Sequence, residues 1–398
     1  MTELIVQAYL SGQWKDIAEI SIDRQKSWRL PARVRYVSEH IIEHFDQVNE
    51  SALSCHFPVD FMEISTPQWP CFLLDLLPQG HARRSLLSHT QPDLSVSEDY
   101  HCLLLGSANP IGNLRLKNAL ASFTEMTQHI LARFPGGVSE QDMLTQSDRF
   151  LDYLSLSNYS VAGSSGLQGE CPKYLLSQDQ QGRFHIDGVL SDQQVKRCYI
   201  YKQPKTHNNE RDQRILFSEP AFMRLAEALG FLTHQPIQTV GQAILIERFD
   251  RSITANTMHR LAQESLLSVM QKAGYGVSFT HQEAIDALVK HSCRPWFDVI
   301  EYVLRDVLNI ALGNRDNHGR NTAIHRYGDH IGLTPLFDFA PMYLDQDAIA
   351  RSAVWRSLEK NGIPNYPVIL SELCDQYETI SSHLPDILNR LTRFVNQF

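Results

Sequence analysis

The chain has 398 residues, 43% of them hydrophobic and 20% charged, with a formal net charge of -9. That length supports two or three domains whose cores need no covalent staples, and the negative balance argues against a broad nucleic-acid footprint, which depends on Lys and Arg at phosphates. Seven cysteines without a Cys-x-x-Cys pair, no basic and then apolar leader, and no apolar run of membrane-spanning length give the expectation of a reduced, cytoplasmic protein with no membrane contact.

Leu4–Leu10 reads as a strand, Ser11-Gly12-Gln13-Trp14 as a hairpin turn and Val37–Phe45 as a helix. Phe72–Gly80 is a compact apolar segment ended by Pro78 and Gly80, and a helical pattern from Asn118 to Phe134 is broken by Pro135-Gly136-Gly137. Lys196–Lys202 and Ala243–Asp250 carry strand signals. Between them the pattern predicts a helix opening at Ser218, with Glu219 and Pro220 in its first turn and Gly230 closing it. Beyond Arg251 the chain is expected to be mostly helical, through Leu261–Lys272, Gln282–Lys290, Trp296–Leu312 and Leu373–Phe398. Among seventeen histidines no His-x-x-x-His pair lies near a Cys or Glu set resembling a zinc site, so most are read as surface or packed residues.

Within this frame, Ser160–Lys173 contains Gly163, Ser164, Ser165 and Gly166, a Gly-rich stretch whose main-chain N–H groups suit phosphates and which a structural hairpin tip explains equally well. Lys202, at a strand end, is expected to pair with Glu219 on the following helix. Glu247-Arg248-Phe249 reads as a hinge against an adenine, with a structural ion pair between Arg248 and Asp250 as the alternative for those side chains. Gly313 ends a half-buried helix and releases Asn314-Arg315-Asp316-Asn317-His318-Gly319-Arg320-Asn321, followed seventeen positions later by Asp338 among apolar neighbours. A turn explains such Asn, Asp and Gly residues on their own. With Asp338 the order becomes that of a phosphoryl-transfer site: Asp316 as base, Asn321 and Asp338 as magnesium ligands. Strands with one helix, then helices carrying this loop, give an α+β, two-lobed protein-kinase-like plan. Its expected parts are an N-terminal α+β subdomain over residues 1–117, a first lobe over 118–250 and a helical lobe over 251–398.

These residues resemble those of the HipA family of serine/threonine kinases, the toxins of bacterial toxin–antitoxin pairs. Asn314–Asn321 is similar to that family's Asn-Thr-Asp-x-His-x-Lys-Asn loop, with Arg315 where Thr is usual, and Leu333–Asp338 is similar to its Leu-Thr-Pro-x-Tyr-Asp element. Ile246–Arg251, Phe72–Pro78 and Leu104–Leu114 resemble further family segments, so the likeness extends over most of the chain. It implies ATP and Mg2+ as cofactors, Asp316 as catalytic base, and Asn321 and Asp338 on the metal. It also implies Lys202 with Lys173 and the Gly-rich loop on the phosphates, Glu247 to Phe249 around adenine, and His318 beside the nucleotide. The implied substrate is a protein serine or threonine, in known cases on an aminoacyl-tRNA synthetase, with translation and growth arrested as the outcome. The implied partner is a HipB-like DNA-binding antitoxin, through which alone DNA would be met. Autophosphorylation of a loop serine is implied too, at Ser160 on one alignment and at Ser164 or Ser165 on another, because the stretch from Gly163 to Lys173 is longer than the family pattern. Two rival readings stand beside this one: a small-molecule phosphotransferase with the same Asp, Asn, Asp order, and a catalytically inactive co-repressor scaffold acting with a DNA-binding partner.

Overall fold

A computed structural model describes residues 1–90, 93–156, 171–206, 209–234, 236–254, 257–346 and 350–397. The first strands, β1 (Thr2–Leu10) and β2 (Gln13–Ile22), form an antiparallel hairpin. Its two-residue turn has Ser11 at φ 52° and Gly12 at φ 80°, the positive angles that match the twist of paired strands. With β3 (Ala32–Tyr36), β4 (Ile64–Thr66) and β5 (Leu114–Leu116) they make a five-stranded sheet in the order β4-β3-β2-β1-β5. Inward residues Leu4, Val6, Ile20 and Val34 pack with Trp69 and with Leu73 and Leu103 from the short helices that follow, and this core runs as far as Ala119.

A second sheet, ordered β7-β6-β8-β10-β9, is built from β6 (Lys173–Asp179), β7 (Phe184–Ile186), β8 (Val195–Lys202), β9 (Ile237–Val240) and β10 (Ala243–Glu247). The helices Leu120–Arg133 and Asp148–Leu156 cover one face of it through Met126, Ile130, Phe150 and Tyr153. The third core belongs to the helical lobe, where His281–His291, Pro295–Ala311, Tyr366–Gln376 and Leu384–Gln397 pack around Val299, Leu308, Trp355 and Ile369.

Three sequence expectations need correction. The helix expected to open at Ser218 runs from Glu210 to Ala228, and Pro220 lies inside it. Asn209 caps it by accepting from the Arg211 and Asp212 amides, and the acids Glu210 and Asp212 sit in its first turn; this cap and charge signal outweighs the proline signal further along. Leu261–Lys272 is not one helix: Thr257–Arg260 and Ala262–Ser265 are strands, and only Leu266–Val269 is helical. Ala262–Ser265 pairs with Ala323–Tyr327, about sixty positions away, and a local pattern cannot register that pairing. The last segment is divided among Tyr366–Gln376, Glu378–Ser381 and Leu384–Gln397. Among the described residues no helix is long and apolar enough to cross a membrane.

Candidate active site

The register of the second sheet sets Lys173 of β6 directly opposite Lys202 of β8. Like charges opposed across strands are destabilising, and these two are only 5% and 6% exposed. Acids arriving from two other elements offset the repulsion. Lys202 Nζ lies 2.6 Å from Glu219 of the Glu210–Ala228 helix, which is the expected Lys–Glu pair, and 2.5 Å from Asp338 Oδ1, while Lys173 Nζ lies 2.9 Å from Asp338 Oδ2. Burial would raise the Asp338 carboxyl, but the two ammonium groups hold it well below the usual carboxylate range. Lys202 is held well above the ordinary lysine value because the same acids outweigh its burial.

Asp338 adopts a left-handed backbone, φ 55°, which Asp tolerates better than bulkier residues do. Its neighbours anchor it on both sides. Phe337 lies against Phe249 with ring centroids 5.9 Å apart and planes tilted by 40°, and Phe339, 1% exposed, packs against Phe222 at 5.5 Å.

The loop after the Pro295–Ala311 helix is held by its own side chains. Asn314 Nδ2 donates to Asn309 Oδ1 at 2.8 Å, and the Asp316 amide donates to Asn314 Oδ1 at 3.3 Å. A Cβ on Gly319 would come within 2.8 Å of the Leu267 side chain, which would have to shift to admit one. Arg320 is buried and ion-pairs with Asp75 at 2.8 Å, which fastens the loop to the N-terminal subdomain. The result exposes the Asp316 carboxylate to a cavity shared with Lys173, Lys202, His318 and Asp338. Among the described residues that carboxylate accepts no hydrogen bond; the imidazole of His318 approaches it, Nε2 at 3.8 Å. Burial and, more weakly, the Asp338 charge push its carboxyl up, against a lowering by His318. Burial pushes His318 down. Asn321, 7% exposed, donates from Nδ2 to the Asp316 carbonyl at 2.7 Å, and this bond leaves its amide oxygen as an acceptor.

A second, apolar cavity adjoins the first and shares Lys173, Lys202 and Asp338 with it. Its walls include Ile200, Met223, Ile237, Ile246, Phe249 and Leu336, and Glu247 lies at its edge. Sequence reasoning had found only the hinge residues of this wall; the rest come from four separate elements and carry no local signal. His234 is also among the residues missed. It lies 5.5 Å from the Phe249 ring, its buried Nε2 has no bonding partner among the described residues, and burial pushes it down to about 4. A histidine with a depressed folded value stabilises fully above its unfolded value of about 6.5 and loses that contribution as pH falls toward the folded one. The Tm of wild type is therefore expected to fall below that of His234→Gln by a growing margin between pH 6.5 and 4; parallel melting curves across that window would refute this.

Arg248 lines the apolar cavity beside Glu247 and Phe249, as the hinge reading expects, and its side chain is engaged in ion pairs. Fully buried, it donates to Asp187 at 2.6 Å and to both oxygens of Asp250 at 2.9 and 2.8 Å, which is the alternative structural reading. Ser160, Gly163, Ser164, Ser165 and Gly166 lie outside the described residues.

The match to a family model decides the affiliation: residues 165–393 match the HipA-like C-terminal domain. The chain belongs to the HipA-like family. A solved structure titled as the toxin–antitoxin system HipA, HipB and operator DNA complex of Shewanella oneidensis MR-1 superposes with a TM-score of 0.61, covering 99% of this chain and 88% of that one. At 16% identity that likeness establishes the α+β, two-lobed, protein-kinase-like HipA fold, including the N-terminal subdomain that the family model does not reach. A curated relative, "Putative kinase Y4mE" of Sinorhizobium fredii (strain NBRC 101917 / NGR234), is 31% identical over 130 residues. The alignment spans about a third of either protein, 30% of this chain and 31% of the relative.

Proposed function

We propose that this HipA-like protein is an ATP-dependent serine/threonine protein kinase of the toxin type. The observation that carries the reading is the convergence of two buried lysines from opposed strands on the single carboxylate of Asp338, beside an Asp316 carboxylate with no bonding partner among the described residues. The apolar cavity suits an adenine, and the lysines at its inner end suit the phosphates.

The donor set also suits magnesium. Asp338 and the amide oxygen of Asn321 are hard oxygen donors, and a Mg2+ ion that keeps several waters needs few protein ligands. When bound, the ion supplies neutralisation of charge on the transferred phosphoryl group. Lys202, fixed by Glu219, and Lys173 hold the phosphates; Asp316 orients the acceptor hydroxyl and takes its proton. His318, kept neutral by burial, packs beside Asp316 without competing for that proton. Positioning and electrostatics then supply most of the rate.

The relative named as a putative kinase supports a phosphotransferase. The HipB-containing neighbour supports a HipB-like DNA-binding partner. Within the same proposal the acceptor is a cellular protein such as an aminoacyl-tRNA synthetase, and one of Ser160, Ser164 and Ser165 is the site of self-modification. Incubating the full chain with γ-labelled ATP, magnesium and a cell lysate tests the reading. Label is expected on protein, including this chain; label confined to small metabolites, or no transfer at all, would overturn it.

A further inference from the structure

We propose that Cys55, His56 and His291 form a binding site for a zinc-class divalent ion that ties the N-terminal subdomain to the helical lobe. Their ligand atoms, one sulfur and two ring nitrogens, all lie within 4.8 Å of one another. Ligand atoms around tetrahedral zinc stand roughly 3.3–3.8 Å apart, as follows from bond lengths of about 2.0–2.3 Å, so modest side-chain rotations close the set. The two rings are already adjacent, with centroids 4.5 Å apart at 66° to each other. Donor type selects the metal: a thiolate with two imidazoles favours Zn2+ and disfavours Mg2+, which takes oxygen.

The surroundings are arranged as a ligating histidine requires. His56 Nε2 lies 2.7 Å from the Val269 carbonyl and donates to it, which fixes the tautomer and leaves the Nδ1 lone pair for a metal. His291 ends the His281–His291 helix, and its Nε2 is buried without a partner among the described residues. An unbonded buried ring nitrogen is costly unless something binds it. Cys55 is held from its backbone: its amide donates to Glu264 at 3.0 Å, and Glu264 also accepts from Ser54 at 2.7 Å and Ser268 at 2.8 Å. Three protein ligands leave the fourth tetrahedral position to water.

No linear motif announces this set, because His291 is more than two hundred positions from His56. Its place gives it a consequence. Glu264 lies on the strand paired with Ala323–Tyr327, which starts two residues after Asn321. An ion bound here would brace the sheet that carries the end of the Asp316 loop.

The test uses full-length protein stripped with a chelator and titrated with Zn2+ against a chromophoric competitor, and separately with Co2+. One ion per chain is expected, with a thiolate-to-cobalt charge-transfer band and tetrahedral d–d absorption. Cys55→Ser should lose the charge-transfer band. His56→Ala and His291→Ala, at half-buried positions, should weaken zinc at least about 100-fold and lose the rise in Tm that zinc gives wild type. Metal-free melting curves and circular dichroism establish that these two variants fold, so they decide the matter even if Cys55→Ser does not. Absence of a stoichiometric ion in wild type, or equal affinity in the folded histidine variants, would overturn the proposal. Phosphoryl transfer is not the readout, so this result stands apart from that of the kinase assignment.

Discussion

Asp316→Asn is expected to reduce phosphoryl transfer by about 10²- to 10⁴-fold, the usual contribution of a positioned base, while the protein melts at the same or a higher temperature. Both halves come from one observation: a half-buried carboxylate that accepts no hydrogen bond among the described residues. Burial raises its folded pKa above the unfolded value. Such a group favours folding when protonated, and that contribution is lost as pH rises from the unfolded value through the folded one. At pH 7 that favourable contribution is reduced, and an uncharged amide of the same shape is free of this pH-dependent cost. The lysine and acid pairs around Asp338 are untouched, so nucleotide binding should persist. Single-turnover transfer and melting curves of both proteins check the two halves together. A variant with wild-type transfer would remove Asp316 from the chemistry; one that loses transfer and also melts many degrees lower would show that its carboxylate is structural. The same upward shift moves the acid limb of the wild-type rate profile to higher pH than an unperturbed aspartate would give.

Much of this site could be read along the chain because its polar parts are local. Gly313–Asn321 is one loop released by one helix, and Asp338 stands out as a charge among Leu336, Phe337 and Phe339. Lys202 and Glu219 were legible as a strand end and the next helix, even though the start of that helix was misplaced by eight residues, from Glu210 to Ser218. Strand register was not legible. That Lys173 faces Lys202 depends on the pairing of β6 with β8, and nothing near either lysine specifies it. The strand Ala262–Ser265 was hidden for a related reason: its partner strand lies about sixty positions on, and Glu264 on it accepts from Ser54 and Cys55, more than two hundred positions away, whereas Thr257–Arg260 pairs with Arg251–Thr254 in a local hairpin. Arg320 likewise reads as a loop cation until Asp75 is seen beside it.

Arg248→Ala should produce the largest loss of stability of any single change near the cleft, about 3–5 kcal/mol by the measure of broken buried ion pairs, or a Tm fall on the order of 10 °C. Removing its guanidinium strands two carboxylates at once, Asp187 and Asp250, each buried. Burial alone would raise the Asp250 carboxyl; Arg248 and Arg251 hold it well below the usual range. The loss spreads further because the network joins three parts of the chain. Asp187 also accepts from Ser177 at 2.6 Å and Asn109 at 2.9 Å, Asp250 accepts from the Gly112 amide at 2.9 Å, and Arg251 donates to the Gly112 and Pro110 carbonyls at 2.8 and 2.9 Å. The N-terminal subdomain is thereby fastened to the hinge between the lobes. Arg197→Ala on the same sheet is the control. Its pair with Glu247 is exposed, at 3.3 Å, and worth at most about 1 kcal/mol. Denaturant and thermal unfolding of the two variants separate a structural arginine from a ligand-binding one. If Arg248→Ala kept its Tm and lost only nucleotide affinity, its side chain would belong to the adenine pocket after all and the buried network would carry no stability.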